Sequence, residues 1–374
     1  MSKANRSVWF WQTILTPHMG LLAEALAKRG YNVTFVSNEI LSKKRLELGW
    51  DKARLNKAKF ILAINKNNIT RIVKRAAKNS IHLCQGLRGN GLVSYTQKIL
   101  RKRGLRHWII MEKIDDRGLK GILKRALYRL LFVYWQKYLE GVLAIGYGTK
   151  NWIIKRGIDK KKIYSFAYFL KSPKINFHKI PFSEKIKKRS YRFIFVGELI
   201  KIKNIELLIN AIANLHLRDI ELWIVGDGPE KERLQFLANL LLPKQVFFFG
   251  ILPMSKIPKI IRKTDCLVLP SRQDGWGAVA SEALLVGTPV ICSNACGSSV
   301  AVKASKVGGV FASEDLKSLT KILHKQYKIG KIFIKKRKII YKWAKCLDAN
   351  SGAKYLDLIL NNTGNNLIEE PWKN

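Results

Sequence analysis

Residues 271–292 read SRQDGWGAVASEALLVGTPVIC, and their punctuation decides the fold. The apolar run Cys266-Leu-Val-Leu269 just ahead of them ends at Pro270 and reads as a short buried strand. A polar loop follows, then Gly275-Trp276-Gly277, then a helical pattern over residues 278–286. Gly287 stops that helix, Pro289 follows at the usual distance, and Val290-Ile291-Cys292 reads as the next strand. The order is strand, glycine loop, helix, strand. A helix that starts on glycine-loop backbone offers free N–H groups and a positive dipole end to a phosphate. Asp274 before the helix and Glu282 inside it add carboxylates, which accept hydrogen bonds from the vicinal hydroxyls of a sugar or ribose. The stretch therefore points to an anion and polyol site on an α/β sheet.

Working outward, the same alternation recurs. Residues 192–196 read as a strand, residues 197–204 as a loop, and residues 205–215 as a helix with apolar residues at 205, 208, 209, 212 and 215. A strand at 221–225, the turn Gly226-Asp227-Gly228-Pro229, a helix to Leu240, a strand at 246–249 and the loop Gly250-Ile251-Leu252-Pro253 complete the second half. The first half opens with SVWFWQTIL at residues 7–15, an apolar run suited to a buried parallel strand. A turn at residues 16–20, a helix at 21–28 and a strand at 31–36 follow, the opening of a Rossmann-like half. Further strands are expected at 59–64, 80–84, 108–111, 142–145 and 163–166. A helix should follow the glycine-punctuated loop 86–91, another should be capped at Thr149, and a long one should cover 117–139. Residues 172–190 carry Pro173, Pro181 and the basic run Lys187-Lys188-Arg189 without clear periodicity. The expected division is an N-terminal Rossmann-like domain at 1–172, a linker at 173–190, a second Rossmann-like domain at 191–345, and a helix and tail at 346–374. Residues 361–374 are polar and expected to fray.

Composition narrows the function. No apolar run reaches the ~18 residues of a membrane span, and residues 1–20 read as a first strand rather than a signal peptide. The five cysteines are odd in number and lack metal-ligand spacing, which fits reduced thiols in the cytoplasm. There is no P-loop and no Gly-x-Gly-x-x-Gly after the first strand, against an ATPase or an ordinary NAD enzyme, and no Asp-x-Asp pair to chelate a metal. The net charge of +43 attracts anionic partners of any kind, or reflects a basic background spread over solvated faces.

The run DGWGAVASEALLVGTPVI resembles the nucleotide-sugar signature of the retaining glycosyltransferases of family four, whose two Rossmann-like doubly wound domains face a central cleft, the GT-B fold. In that family an acidic residue, seven residues and a Glu bracket a Gly-aromatic-Gly loop. Glu282 and Gly275-Trp276-Gly277 match, while Asp274 stands where Glu is usual and is one methylene shorter. The loop beginning at Gly197 departs further. The family's arginine after that glycine is replaced by Glu198, whereas Lys203 matches its lysine. A carboxylate there repels a diphosphate unless it is turned away or held by Lys201, leaving Lys203 to neutralise the charge, with Arg272 as a second cation.

The resemblance implies a UDP- or GDP-linked sugar on the second domain. Glu282 would take the ribose, and the backbone at Ala278 and Val279 with Lys203 the diphosphate. Asp274 and the backbone of Gly275, Trp276 and Gly277 would take the transferred sugar, and the loop at Gly250 and Ile251 the nucleobase. A glycan or lipid-linked acceptor would meet the first domain near His18 and the loop 86–91. Glu112, at the end of a strand, matches a family position that faces the transferred sugar, and His18, Glu112 and Asp274 are the catalytic candidates. His18 could equally be a loop histidine bonding its own backbone, and Glu112 a surface carboxylate paired with Lys113. No metal and no cofactor are implied, and the C-terminal helix of the family crosses back to the first domain. The resemblance covers the second half strongly and the first by general pattern. Two rival readings are a nucleotide-sugar epimerase or phosphorylase on the same fold, and a polyanion-binding protein on a degenerate transferase scaffold. A specific nucleic-acid partner is not implied.

On a helical projection of residues 117–139, Arg117, Lys120, Lys124, Arg125 and Arg129 gather on one side and Leu119, Ile122, Leu123, Ala126, Leu127 and Leu130 on the other. The expectation is that the apolar side packs on the first domain's sheet. The basic side is then solvated, or docks a cytoplasmic protein peripherally on an anionic membrane surface.

Overall fold

The computed structural model describes residues 6–177, 190–362 and 368–373. The basic run at 187–189 and most of the expected linker lie outside the described residues. The chain divides into two units, one built from residues 1–43, 52–171 and 349–374, the other from 44–51 and 172–348.

The first unit is a seven-stranded parallel sheet of β1 (Ser7–Ile14), β2 (Asn32–Glu39), β3 (Lys59–Leu62), β4 (Ile81–Gln85), β5 (His107–Glu112), β6 (Leu139–Ile145) and β7 (Ile163–Phe166). Their order is β3-β2-β1-β4-β5-β6-β7, with registers such as Phe10 opposite Phe35 and Leu83. The second unit is a six-stranded parallel sheet of β8 (Tyr191–Val196), β9 (Ile220–Val225), β10 (Val246–Phe248), β11 (Cys266–Leu269), β12 (Val290–Ser293) and β13 (Gly308–Phe311). Its order is β10-β9-β8-β11-β12-β13. Central strands such as β11, with all four residues buried, are apolar without alternation because both faces are covered. In each sheet the order reverses beside the first strand, between β1 and β4 and between β8 and β11. The loops at the carboxyl ends of strands at such switch points form ligand crevices.

Several boundaries differ from expectation for local reasons. The first helix starts at Pro17 rather than residue 21, because proline at the first helical position needs no donor and Gly20 N–H already donates to Thr16 O. Thr149 is the first residue of the helix Thr149–Ile154 and not its cap. Its hydroxyl donates to Ile145 O at 2.6 Å and accepts from Lys113 N at 3.1 Å, and Gly148 in the left-handed region precedes the helix. The long helix is Gly118–Trp135, and β6 begins at Leu139, three residues before the expected strand.

The helix Ala349–Leu360 belongs to the first unit and lies against the helix Pro17–Lys28. Asp357 is its anchor, accepting from Tyr31 Oη at 2.6 Å and from Arg29 Nη2 at 2.7 Å. The tail is not simply frayed, since Trp372 is buried with its ring 6.5 Å from that of Tyr355. An aromatic body supplies enough apolar area to dock a polar segment. All five cysteines are free.

Candidate functional site

In the second unit, the residues singled out from sequence all lie at the carboxyl ends of β8, β10 and β11 or on the helix Ala278–Leu284 that follows β11. Gly197 follows β8, Gly250 and Ile251 follow β10, and residues 270–277 follow β11. The loops after β8 and β10 are each tied to the end of β9, Gly197 N donating to Val225 O at 3.0 Å and Gly226 N donating to Gly250 O at 2.8 Å.

Lys203 and Asp274 come together as an ion pair, with Nζ 2.6 Å from Oδ2 and both side chains largely buried. Lys203 ends a tight turn, Lys201–Lys203, before the helix Ile205–Ala213. Arg272 holds that turn. Its N–H donates to Ile202 O at 2.8 Å, its Nη1 to Lys201 O at 2.5 Å, and its Nε to Glu314 Oε1 at 2.8 Å. Arg272 thus stands beside Lys203 with a carboxylate partner of its own, as Lys203 has Asp274. Glu198 is held too, but by Lys44 at 2.9 Å and not by Lys201. Lys44 is remote in sequence but part of the same unit, so spacing alone had no means of finding it.

Asp274 is fixed by its backbone. Its N–H donates to Ala295 O at 3.2 Å and its carbonyl accepts from Gly297 N at 2.9 Å. Ser298 N likewise donates to Trp276 O at 2.7 Å. The loop after β12 therefore runs alongside the 274–277 loop, a neighbour the sequence reading missed; its signal was the small-residue run Cys296-Gly297-Ser298-Ser299 after a strand. Ser298 Oγ is buried without a hydrogen-bond partner. A Cβ on Gly277 would stand 3.4 Å from it. Gly277 adopts φ 78°, the left-handed conformation that suits glycine, and aims the chain into the helix. Trp276 points into the core, with Nε1 donating to Ser281 Oγ at 3.0 Å, so only its backbone faces the loop surface.

Glu282 lies on that helix, half-buried. Among the described residues its carboxyl has no hydrogen-bond or ion-pair partner, and desolvation pushes it up from 4.5 to about 7. The backbone N–H groups of Ala278 and Val279 begin the same helix, where no intrahelical acceptor exists for them. Among the described residues, no three His, Cys, Asp or Glu side chains gather as a metal-holding group.

In the first unit His18 is the second residue of the helix after β1. Its Nε2 is 3.2 Å from Thr16 Oγ1 and its ring centroid 4.0 Å from that of Tyr168. Glu112 ends β5, half-buried, and the Nζ of the next residue, Lys113, lies 3.9 Å from Asp116 Oδ1. The loop after β4 is held from within, Asn90 Nδ2 donating to Gln85 O at 2.6 Å and Gln97 Nε2 to Gly86 O at 2.7 Å. His18, Glu112 and this loop all stand at carboxyl ends of strands of one sheet.

Two parallel-sheet Rossmann-like units make this an α/β protein of the GT-B glycosyltransferase fold. The chain is similar to HepE of Anabaena bound to UDP, over 95% of this chain and 99% of that one, at 15% identity and a TM-score of 0.72. It is also similar to the lipopolysaccharide outer core galactosyltransferase WaaB in its apo form, over 95% and 99%, at 16% identity and a TM-score of 0.70. Residues 176–345 match the family Glycosyl transferases group 1, and that stretch contains every donor-binding candidate named from the sequence. In sequence the chain is 33% identical over 139 residues to a D-inositol 3-phosphate glycosyltransferase of Corynebacterium jeikeium, 34% of this chain and 32% of that protein. The chain spans about half or less of the length of the curated relatives it matches, 55% of one and 35% of another.

Proposed function

We propose that this protein is a retaining, metal-independent glycosyltransferase that moves a sugar from a nucleoside-diphosphate donor to a glycan or lipid-linked acceptor. The observation that carries this reading is the clustering of a paired Lys203 and Asp274, an unpartnered Glu282 carboxyl and a helix start at Ala278 on the carboxyl edge of one parallel sheet. Each group suits one part of a nucleotide sugar. Glu282 accepts from the ribose hydroxyls, and the Ala278 and Val279 N–H groups with Lys203 hold the diphosphate. Asp274, once Lys203 turns to the phosphates, accepts from a hydroxyl of the transferred sugar. Gly250 and Ile251 border the nucleobase. The acceptor is recognised by the first unit, where His18, Glu112 and the loop after β4 are the candidates.

In the reaction the bond between the anomeric carbon and the diphosphate oxygen breaks. The acceptor oxygen bonds that carbon on the same face, and the departing phosphate takes the acceptor's proton. The protein supplies position and charge stabilisation, not a nucleophile. Lys203 stabilises the charge that grows on the leaving diphosphate. Glu198 does not oppose it, because Lys44 holds that carboxylate. A uridine donor is the first choice, because HepE was solved with UDP and with UDP-glucose.

The test is a thermal-shift screen of UDP- and GDP-linked sugars on the full chain, since a ligand that binds only the folded state raises the melting temperature by mass action. A shift with one nucleotide sugar, followed by slow donor hydrolysis without acceptor, supports the reading. No shift with any nucleotide sugar or nucleoside diphosphate overturns it. Activity that disappears in EDTA and returns with magnesium or manganese removes its metal-independent part.

A further inference from the structure

The helix Gly118–Trp135 carries its leucines outward, the reverse of the expected packing. It meets the first unit through one narrow face on which Gly121, Tyr128, Phe132 and Trp135 are buried. At Gly121 the Asp116 carbonyl comes so near that a Cβ would sit 1.8 Å from its oxygen, so the first turn packs tightly against the segment that leads into the helix. At 100° per residue the opposite face holds Leu119, Leu123, Ala126 and Leu130, with Ile122 and Val133 at its margins. These side chains stand in solvent: Leu119 is 83% exposed, Leu123 73%, Leu130 70%, Ile122 53% and Val133 51%. Single exposed leucines are ordinary, but a contiguous ridge of them marks an interaction surface.

The cations lie along the flanks between ridge and body. Lys120 and Arg129 are exposed on opposite sides. Lys124 and Arg125 donate to the carbonyls of Asp115 at 2.8 Å and Asp116 at 2.6 Å. The helix contains no Asp or Glu. We propose that it lies on an anionic lipid surface, with the leucine ridge sunk to the acyl boundary and Lys120 and Arg129 at the level of the headgroups. Among the described residues no helix is long and apolar enough to cross a membrane, so the contact is parallel to the surface. Charge selects this occupant over others. A second copy would bring two basic helices of chains carrying +43 each against one another. A nucleic acid would satisfy the basic flanks and leave the leucines in water. A bilayer with acidic headgroups matches both the ridge and its borders.

This inference does not rest on the donor site, because vesicle binding is read without donor. The test is flotation of the full chain with phosphatidylcholine vesicles and with vesicles that also contain phosphatidylglycerol, at low and high salt. Two variants are compared: Leu119→Ser with Leu123→Ser and Leu130→Ser, and Lys120→Gln with Arg129→Gln. All five side chains are exposed, so unchanged melting curves are expected for both. Wild type should float with the acidic vesicles and keep a bound fraction at high salt. The serine variant should bind roughly tenfold more weakly or less at both salts, from the apolar burial lost. The glutamine variant should lose binding chiefly at low salt. Equal binding by wild type and the serine variant overturns the proposal. So does wild-type binding that vanishes at high salt, which is electrostatic alone, and so does a wild-type dimer in light scattering that the serine variant dissociates.

Discussion

Lys203 and Asp274 are joined by a 2.6 Å ion pair, so the cation and the carboxylate that the family resemblance assigns to different parts of a ligand are each other's partner. A diphosphate must therefore compete with Asp274 for Lys203. Lys203→Ala should weaken UDP binding by about 1.5–3 kcal/mol, the range for hydrogen bonds to a charged group. Asp274→Asn should leave UDP binding equal or tighter, because a competing anion is gone, while transfer from the full nucleotide sugar falls. Calorimetry with UDP and a transfer assay separate the two. If neither variant alters UDP affinity, the pair is structural only.

Glu282 carries a pH signature. Its carboxyl titrates near 7 in the fold and near 4.5 when solvated, so the folded state holds its proton more tightly. The stability this lends is present below about 4.5 and is lost as pH rises through about 7. Glu282→Gln should therefore raise stability above neutral pH by about 1–3 kcal/mol, discounted for partial exposure. The same change should weaken donor binding by about 1.5–3 kcal/mol, since the charged acceptor for ribose is gone. Wild-type donor affinity should rise as pH passes 7 upward, and Glu282→Gln should flatten that rise. Unaltered donor affinity in the variant would falsify the ribose assignment.

Two buried histidines make the first unit acid-sensitive. His82 accepts from Trp11 Nε1 through Nδ1 at 3.1 Å, and its Nε2 lies 3.0 Å from Ser80 Oγ. A proton on Nδ1 would face the Trp11 N–H, and burial pushes His82 down to about 3 and His107 to about 4. Both titrate near 6.5 in a solvated chain, so the unfolded state takes protons first as pH falls. Stability is full above about 6.5 and should drop by roughly 2 kcal/mol per histidine near pH ~5, at 1.36 kcal/mol per unit. Denaturant titrations followed by tryptophan fluorescence read this directly. His107→Leu should reduce the loss, because neither ring nitrogen of His107 has a hydrogen-bond partner. A midpoint that stays level from neutral pH to pH ~5 contradicts the account.

Two glycines of the second unit should respond unequally. At Gly226, φ is 137° and a Cβ would fall 1.9 Å from Gly197 O, where the loops after β8 and β9 run side by side. Gly226→Ala must push those loops apart and should cost more than about 3 kcal/mol, or leave the protein insoluble. At Gly250, φ is 63° but nothing lies within 4 Å of the new Cβ, so Gly250→Ala should cost only about 1–2 kcal/mol. Thermal melting of both variants decides it, and equal losses would contradict the steric argument.

Much of the architecture was legible in the chain itself. Apolar runs such as residues 266–269 and 7–14, broken by glycine and proline, mark buried parallel strands because both faces of such a strand must be covered. The spacing of Asp274, Gly275, Gly277 and Glu282 fixes a loop and helix start, since these depend on local backbone and a few side chains.

What the tertiary structure alone decided concerns partners far apart in sequence and the direction each face points. Lys44 holds Glu198, Arg272 is taken by Glu314, and Lys203 by Asp274, pairings that arise only when the loops at the ends of separate strands are brought together. Periodicity showed the helix at residues 118–135 to be two-sided but not which side the body covers. Packing chose the stripe of Gly121, Tyr128, Phe132 and Trp135, whose aromatic rings fill the space beside the sheet, and left the leucines outward. A helical pattern fixes angles around an axis; the neighbouring surface fixes where the axis lies and which angle faces in.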